Sequence, residues 1–345
     1  MPIVKLTGRR GVPADPAHHF YNRFKLPQDD GQHHLDPAWF DRQKQRHVEK
    51  DDPSLRRWLV DEVNILKAFH DGDTDAEETA HDITRPISTS SVPDLGGYSD
   101  GILASNGLWF VLITALIEWP CERIADLLAL LDAIARIPDK IHKGEVIGDE
   151  HGDALSWSGF PYFALSWPDD LQPGQICRQC PDAAARALAR RLYLKIRDIE
   201  AQLVARHVMG MSRQMIRTVI CALETDKKDV DGSDDAQQVV APNEAVAYDQ
   251  VVLDFHIPAV AFLFQYNVRE VYDLVVVRDG LRDWTRRSMP DGARRFEDGA
   301  TRWVFWERRL GELAGGSADE EVRGAAEAAL GSMALGEGVW RDEAR

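Results

Sequence analysis

Cysteine is scarce in this chain: only Cys121, Cys177, Cys180 and Cys221 occur in 345 residues. Four irregularly spaced thiols do not make the disulfide framework of a small secreted module, so a reducing compartment is expected. No apolar run reaches the roughly 20 residues that a membrane span needs. The longest uncharged stretch, 102–117, includes Ser105, Asn106 and Gly107 and closes at Glu118, Trp119 and Pro120, which reads as a buried helix. The first fifteen residues carry Lys5, Arg9 and Arg10 without the apolar segment of a secretory signal. Intracellular, cytoplasmic residence is the expectation.

Positive charge is also short. Against 57 acidic residues there are 41 basic ones, a formal net charge of −16. Such a balance repels nucleic-acid phosphates and anionic lipid heads, which excludes nucleic acid and membrane as main partners. A protein partner, or a small molecule, is expected instead. What the chain has in excess is tryptophan, ten of them. Each indole hides a large apolar area and needs an acceptor for its N–H, so these rings are expected either to anchor a core or to line a pocket.

Helical periodicity dominates. Leu55, Leu59, Val63, Leu66 and Phe69 form one stripe, and Ile124, Leu127, Leu128, Leu131 and Ile134 form another. A third runs through Leu188, Leu192, Ile196, Ile199 and Leu203, behind the N-cap Asp182, with Arg186, Arg190, Arg197 and Glu200 expected off it. Met215, Val219, Ile220 and Leu223 continue the pattern, as do Trp303, Trp306, Leu310 and Leu313 before Gly315 and Gly316. An Ala-rich last helix carries Val322, Ala326, Ala329, Leu330 and Met333. Residues 71–97 read as a loop with at most one short helix, Val275 to Val277 as helix despite their β-branching, and Pro258 as a kink or break. The aromatic segment 139–173 should pack across the helices, and Asp36 and Pro37 can start a short helix through Trp39, Phe40 and Gln43. The expected fold is all-α. A single multi-helix domain of antiparallel amphipathic helices with long irregular loops should span 55–335, after an irregular arm, 1–54, and before a flexible tail, 336–345.

The run Arg302-Trp303-Val304-Phe305-Trp306-Glu307-Arg308-Arg309-Leu310-Gly311-Glu312-Leu313-Ala314, with an Ala-rich helix behind it, resembles a large fungal family of unknown function. Leu108-Trp109, Ala115 to Glu118 with Pro120, and Ser156-Trp157 with Pro161 fit the same family. The resemblance covers roughly 55–335 and implies an all-α, single-domain protein. It implies no activity, cofactor or catalytic residue.

The chemical motifs are weak. Gly97-Tyr98-Ser99-Asp100-Gly101 matches the nucleophile elbow G-x-S-x-G, but no apolar strand precedes it. Cys177-Arg178-Gln179-Cys180 has the spacing of two zinc ligands without a second pair. Asp71-Gly72-Asp73-Thr74-Asp75 opens like a calcium loop, but Ala76 and Asp82 stand where Gly and Glu belong. His18-His19 and His33-His34 read as surface pairs. His256, near Asp254, is the one histidine placed for acid–base work, with a satisfied core histidine as the commoner alternative. No catalytic residue, cofactor or metal is therefore assigned. The leading expectation is a non-enzymatic helical interaction module. Its competitor is a small-molecule binder or enzyme with an aromatic pocket lined by Trp109, Trp157, His256, Trp284, Trp303 and Trp306.

Overall fold

The computed structural model describes residues 35–36, 38–48, 53–89, 100–138, 141–142, 145–146, 157–160, 163–168, 171, 173–180, 182–224, 253–278, 281 and 296–343. Within these, the side chains of 46–48, 53–59, 86–89, 100–106, 141–142, 145–146, 175, 178–179 and 337–343 are outside the description. Ser99, Trp284, the four histidines of the two pairs and the acidic segment after Thr225 lie outside the described residues.

The all-α expectation holds. In chain order the helices are α1 (Trp39–Val48), α2 (Pro53–Asp71), α3 (Ala76–Thr89), α4 (Asp100–Glu118), α5 (Ile124–Ala135), the single turn α6 (Phe163–Ser166), α7 (Pro173–Gln179), α8 (Ala183–Ala205), α9 (Arg213–Leu223), α10 (Leu253–Tyr272), α11 (Gly299–Gly316) and α12 (Glu320–Glu343). The strand pairing among the described residues is one two-residue antiparallel ladder, Ile141 opposite Val146 and His142 opposite Glu145.

Helix starts follow the short polar side chains that satisfy exposed backbone N–H groups. Asp182 accepts from Ala185 N at 2.7 Å, Ser212 from Met215 N at 3.1 Å, and Asp298 from Thr301 N at 2.7 Å. Asp75 does the same for Glu78 at 2.9 Å. That cap starts α3, a fourteen-residue helix where the sequence suggested a loop with at most one short helix. Ala80 and Ile83 are its buried apolar anchors, too few for a clear stripe, while Thr79 and Thr84 complete the buried face. Asp71 accepts from Lys67, and Gly72 takes φ +83° in the turn. The acidic ladder that resembled a calcium loop is thus spent on ending one helix and beginning the next.

Two groups of helices pack around a continuous core. Helices α1 to α5 form the first, with α5 lying mainly on α3, and α8 to α12 form the second, with α12 covering α10 and α11. The groups meet where α4 touches α8. Trp39 and Phe40, assigned by sequence to the arm, are buried in the first group, and α12 continues to Glu343, past the expected start of the tail.

Pro258 breaks nothing. It sits in the second turn of α10, and the ladder bond it cannot make leaves the Asp254 carbonyl to accept from Arg190 Nε at 2.8 Å. The departure from helical geometry falls at Asn267 (φ −134°, ψ 25°), whose buried side chain donates to Ala201 O at 2.7 Å. Beyond Tyr272 the helix widens into a π turn over Asp273–Val277, so the three valines are helical as expected. Gly299, at the start of α11, lies against this turn so closely that a Cβ would stand 1.7 Å from Val275 O. Only glycine permits that approach.

Candidate functional site

The five described residues of the six proposed as a pocket are distributed across the molecule. Trp109 stands edge-on to Trp157 at 6.0 Å and to Phe163 at 5.5 Å, in the cluster that packs the aromatic segment on α4. Trp303 and Trp306 lie 6.1 Å apart in a second cluster, with Phe264 and Tyr272. His256 is buried on α10, edge-on to Tyr193 at 6.4 Å. Its sequence neighbour Asp254 turns its carboxylate to Arg186, with contacts of 2.9 and 3.1 Å. Cys177 and Cys180 are not bridged by a disulfide, and Cys180 Sγ donates to Ile176 O within its own turn. Among the described residues no group of three or more His, Cys, Asp or Glu is placed to hold a metal.

Much of the polar chemistry of the described interior lies elsewhere, and three of its buried carboxylates, Glu118, Glu224 and Glu200, each gather partners from other helices or turns. At the end of α4, Glu118 accepts the indole N–H of Trp39 at 2.6 Å. Beside it Lys195 reaches across from α8 and donates to Ile117 O at 2.7 Å and to Trp119 O. Burial pushes the Lys195 ammonium down to about 8, against the pull of Glu118, Glu122 and Cys121. At the end of α9, Glu224 accepts from Trp306 Nε1 at 2.9 Å and pairs with Arg302, whose Nε lies 2.8 Å from Oε1 and whose Nη2 lies 3.4 Å from Oε2. Burial lifts the Glu224 carboxyl above its usual range, outweighing Arg302 and Trp306.

The third cluster sits among α8, α9 and α10. Arg197, only 3% exposed, pairs through Nη1 with Glu200 one turn on, and its guanidinium faces the Tyr193 ring at 5.3 Å. Glu200 Oε1 also accepts from the Ser212 hydroxyl at 3.2 Å, so the residue that caps α9 fastens it to α8 as well. Arg197 and Glu200 border a small cavity with Met215, Thr218, Val219, Ala259, Val260 and Leu263. The cavity volume is about 10 Å³, close to the minimum for a single water. Arg197 Nε and Nη2, both buried, make no hydrogen bond within the protein. Sequence analysis placed Arg197 and Glu200 off the apolar stripe, and the structure buries both. Their i, i+3 spacing also fits an ion pair folded inward, and only the packing of α9 and α10 on that side of α8 decides between the two.

A family model described as a protein of unknown function (DUF3632) matches residues 109–310, more than half of the chain. The chain belongs to that family. Comparison with curated proteins and with solved structures returns no match. The segment matched by the DUF3632 family contains the Arg197, Glu224 and Lys195 clusters entire except for one group: Trp39, the indole bound to Glu118, lies before it. Helices α1 to α3 and α12 also fall outside the match, although α12 closes the second helix group.

Proposed function

We propose that the protein is a non-enzymatic helical module that binds a basic protein partner at the end of its second helix group. The observation that carries this reading is the exposure of Val277, Val304 and Leu335, by 62 to 76%, on elements whose connections bring these positions towards one end of the second helix group. Val277 ends the π turn that abuts the start of α11, and Val304 lies just over one turn into α11. The three residues between α11 and α12 oblige α12 to return antiparallel, which carries Leu335 back to the same end. Apolar side chains grouped at one end of a helical bundle suit a docking patch, and the net charge of −16 favours a basic partner and steers its approach. Further support comes from groups that catalysis would draw on: Glu224 is engaged by Arg302 and Trp306, and Asp254 by Arg186. An aromatic ligand pocket draws less support, because its four described tryptophans belong to two separate clusters.

The test is affinity capture with quantitative mass spectrometry on the wild type, a Val304→Glu/Leu335→Glu variant and a Leu165→Glu control, whose Leu165 is exposed elsewhere. The expected outcome is a basic, stoichiometric partner that weakens with salt, disappears in the double variant and survives in the control. Identical captures from the two variants, or binding indifferent to salt, would sink the proposal.

A further inference from the structure

We infer that Cys121 and Lys195 form a self-acylation site, at which the thiol takes a short acyl group from a small-molecule thioester and passes it to the amine. The pair arises from the way the chain leaves α4. Lys195 Nζ crosses from α8 to donate to Ile117 O at 2.7 Å and to Trp119 O. Cys121 stands two residues after that second carbonyl, across Pro120 (φ −55°, ψ 149°), and opens the short turn that leads into α5. The amine is thus pinned to the backbone beside the thiol. Cys121 is also the exposed cysteine of the four: Cys177 and Cys180 are partly buried and Cys221 is buried.

The two groups divide the chemistry. An exposed thiol exchanges readily with thioesters, whereas an amine attacks only after it has shed its proton. Burial pushes Lys195 down to about 8, against the pull of Cys121, Glu118 and Glu122, so about a tenth of the amine is uncharged near pH 7. The Cys121 pull exceeds that of either carboxylate, as befits a neighbour of the amine. In the first step the Cys121 thiolate attacks the thioester carbonyl, the bond from carbon to the carrier's sulfur breaks, and the carrier thiolate takes the proton that Cys121 gave up. In the second the neutral amine attacks the new thioester, an amide bond forms as the bond to Cys121 Sγ breaks, and the amine's proton passes to Cys121. The thiol is regenerated, and placing it beside the amine makes the second step intramolecular. Lys195 is partly buried at the end of α4, which limits the group to the size of acetyl. The product amide keeps one N–H of the ammonium's three and no charge, so acylation loosens the tie between α4 and α8.

The experiment incubates the full chain with S-acetyl-N-acetylcysteamine, a neutral thioester that the net charge of −16 does not repel, and follows it by intact mass and peptide mapping. Lys67, which is exposed and whose hydrogen bond with Asp71 holds its amine above the ordinary 10.5, is the internal reference. Lys195 is expected to be acetylated at least tenfold faster than Lys67, and at least tenfold more slowly in Cys121→Ser than in the wild type. Lys195→Arg should stop the transfer and leave acetyl on Cys121 as a thioester that hydroxylamine removes. If Lys195→Arg fails to fold, Cys121→Ser, at an exposed position, decides alone. Lys195 acetylated no faster than Lys67 overturns the inference. So does Lys195 acetylation undiminished in Cys121→Ser, which means direct attack without the thiol. An equal hydroxylamine-labile adduct in the wild type and Lys195→Arg also overturns it, because the amine then never reaches the thioester.

Discussion

The ends of α4 and α9 present the same physical problem and resolve it differently. A helix C-terminus gathers unpaired carbonyls and partial negative charge, so a carboxylate there is unfavourable. Both helices nevertheless have a buried glutamate at that end, Glu118 and Glu224, and both bind an indole N–H from a distant helix. At α4 the cation from the neighbouring helix ignores the carboxylate's oxygens in favour of the backbone: Lys195 takes the carbonyls of Ile117 and Trp119. At α9 the cation is Arg302, which pairs with the carboxylate itself, Nε lying 2.8 Å from Oε1 and Nη2 donating to Oε2 at 3.4 Å. A compact ammonium with three donors suits divergent carbonyls, and a planar fork suits two oxygens of one group. The choice of lysine or arginine thus follows the geometry of the acceptor. The Lys195 tie also joins the two helix groups, whereas the Arg302 tie works within one of them.

The two ties should respond unequally to mutation. Glu224→Leu removes the acceptor of both Arg302 and Trp306 and leaves a guanidinium buried without its counter-charge. A loss of about 3–5 kcal/mol in urea unfolding is expected. A loss below about 1 kcal/mol would mean that Arg302 finds another acceptor and that the C-terminal tie is dispensable. Lys195→Met should cost less, about 1–2 kcal/mol, since it strips donors from two carbonyls at a helix end but relieves the burial of an ammonium. Its pH response has its own sign. The folded-state value of about 8 lies below the ordinary 10.5, so the unfolded chain holds this proton more tightly. Stability from this group rises as pH climbs from about 8 to 10.5, and Lys195→Met should lose that rise in urea midpoints measured across the interval.

The helices were written plainly in the sequence, and the polar interior was not. Stripes such as Leu192, Ile196, Ile199 and Leu203 announce one buried face, and caps such as Asp182 and Asp298 mark where helices begin. Helix α3 escaped because its buried face relies on Thr79 and Thr84 as much as on Ala80 and Ile83, and Thr84 becomes tolerable inside only by donating to Ala80 O at 2.7 Å. Arg197 and Glu200 escaped for a related reason. An i, i+3 ion pair looks the same on a solvated face and in a core, and the helices that bury this one, α9 and α10, lie far along the chain. The tryptophans were rightly singled out as structural weight, but their partners are set by tertiary contacts: Trp39 finds Glu118 and Trp306 finds Glu224, each about 80 residues away. Pro258 shows the same limit, since the arginine that satisfies the Asp254 carbonyl arrives from α8.

The smallest effect separates charge from hydrogen bonding at the α9 end. Glu224→Gln keeps an acceptor for the Trp306 indole while removing the ionisable proton. Burial holds the Glu224 carboxyl above its ordinary 4.5, so the folded protein binds this proton more tightly than the unfolded chain. The contribution of Glu224 to stability is therefore fullest below about 4.5 and declines as pH rises through the folded-state value. Wild type and Glu224→Gln should have similar urea midpoints near pH 4, and the variant should gain on the wild type by about 1 kcal/mol or less as pH approaches 7. The reverse trend, with the wild type gaining as the carboxyl ionises, would mean that attraction to Arg302 outweighs desolvation. Glu224 would then be a stabilising ion pair, where the expected trend makes it chiefly an acceptor whose charge the fold tolerates.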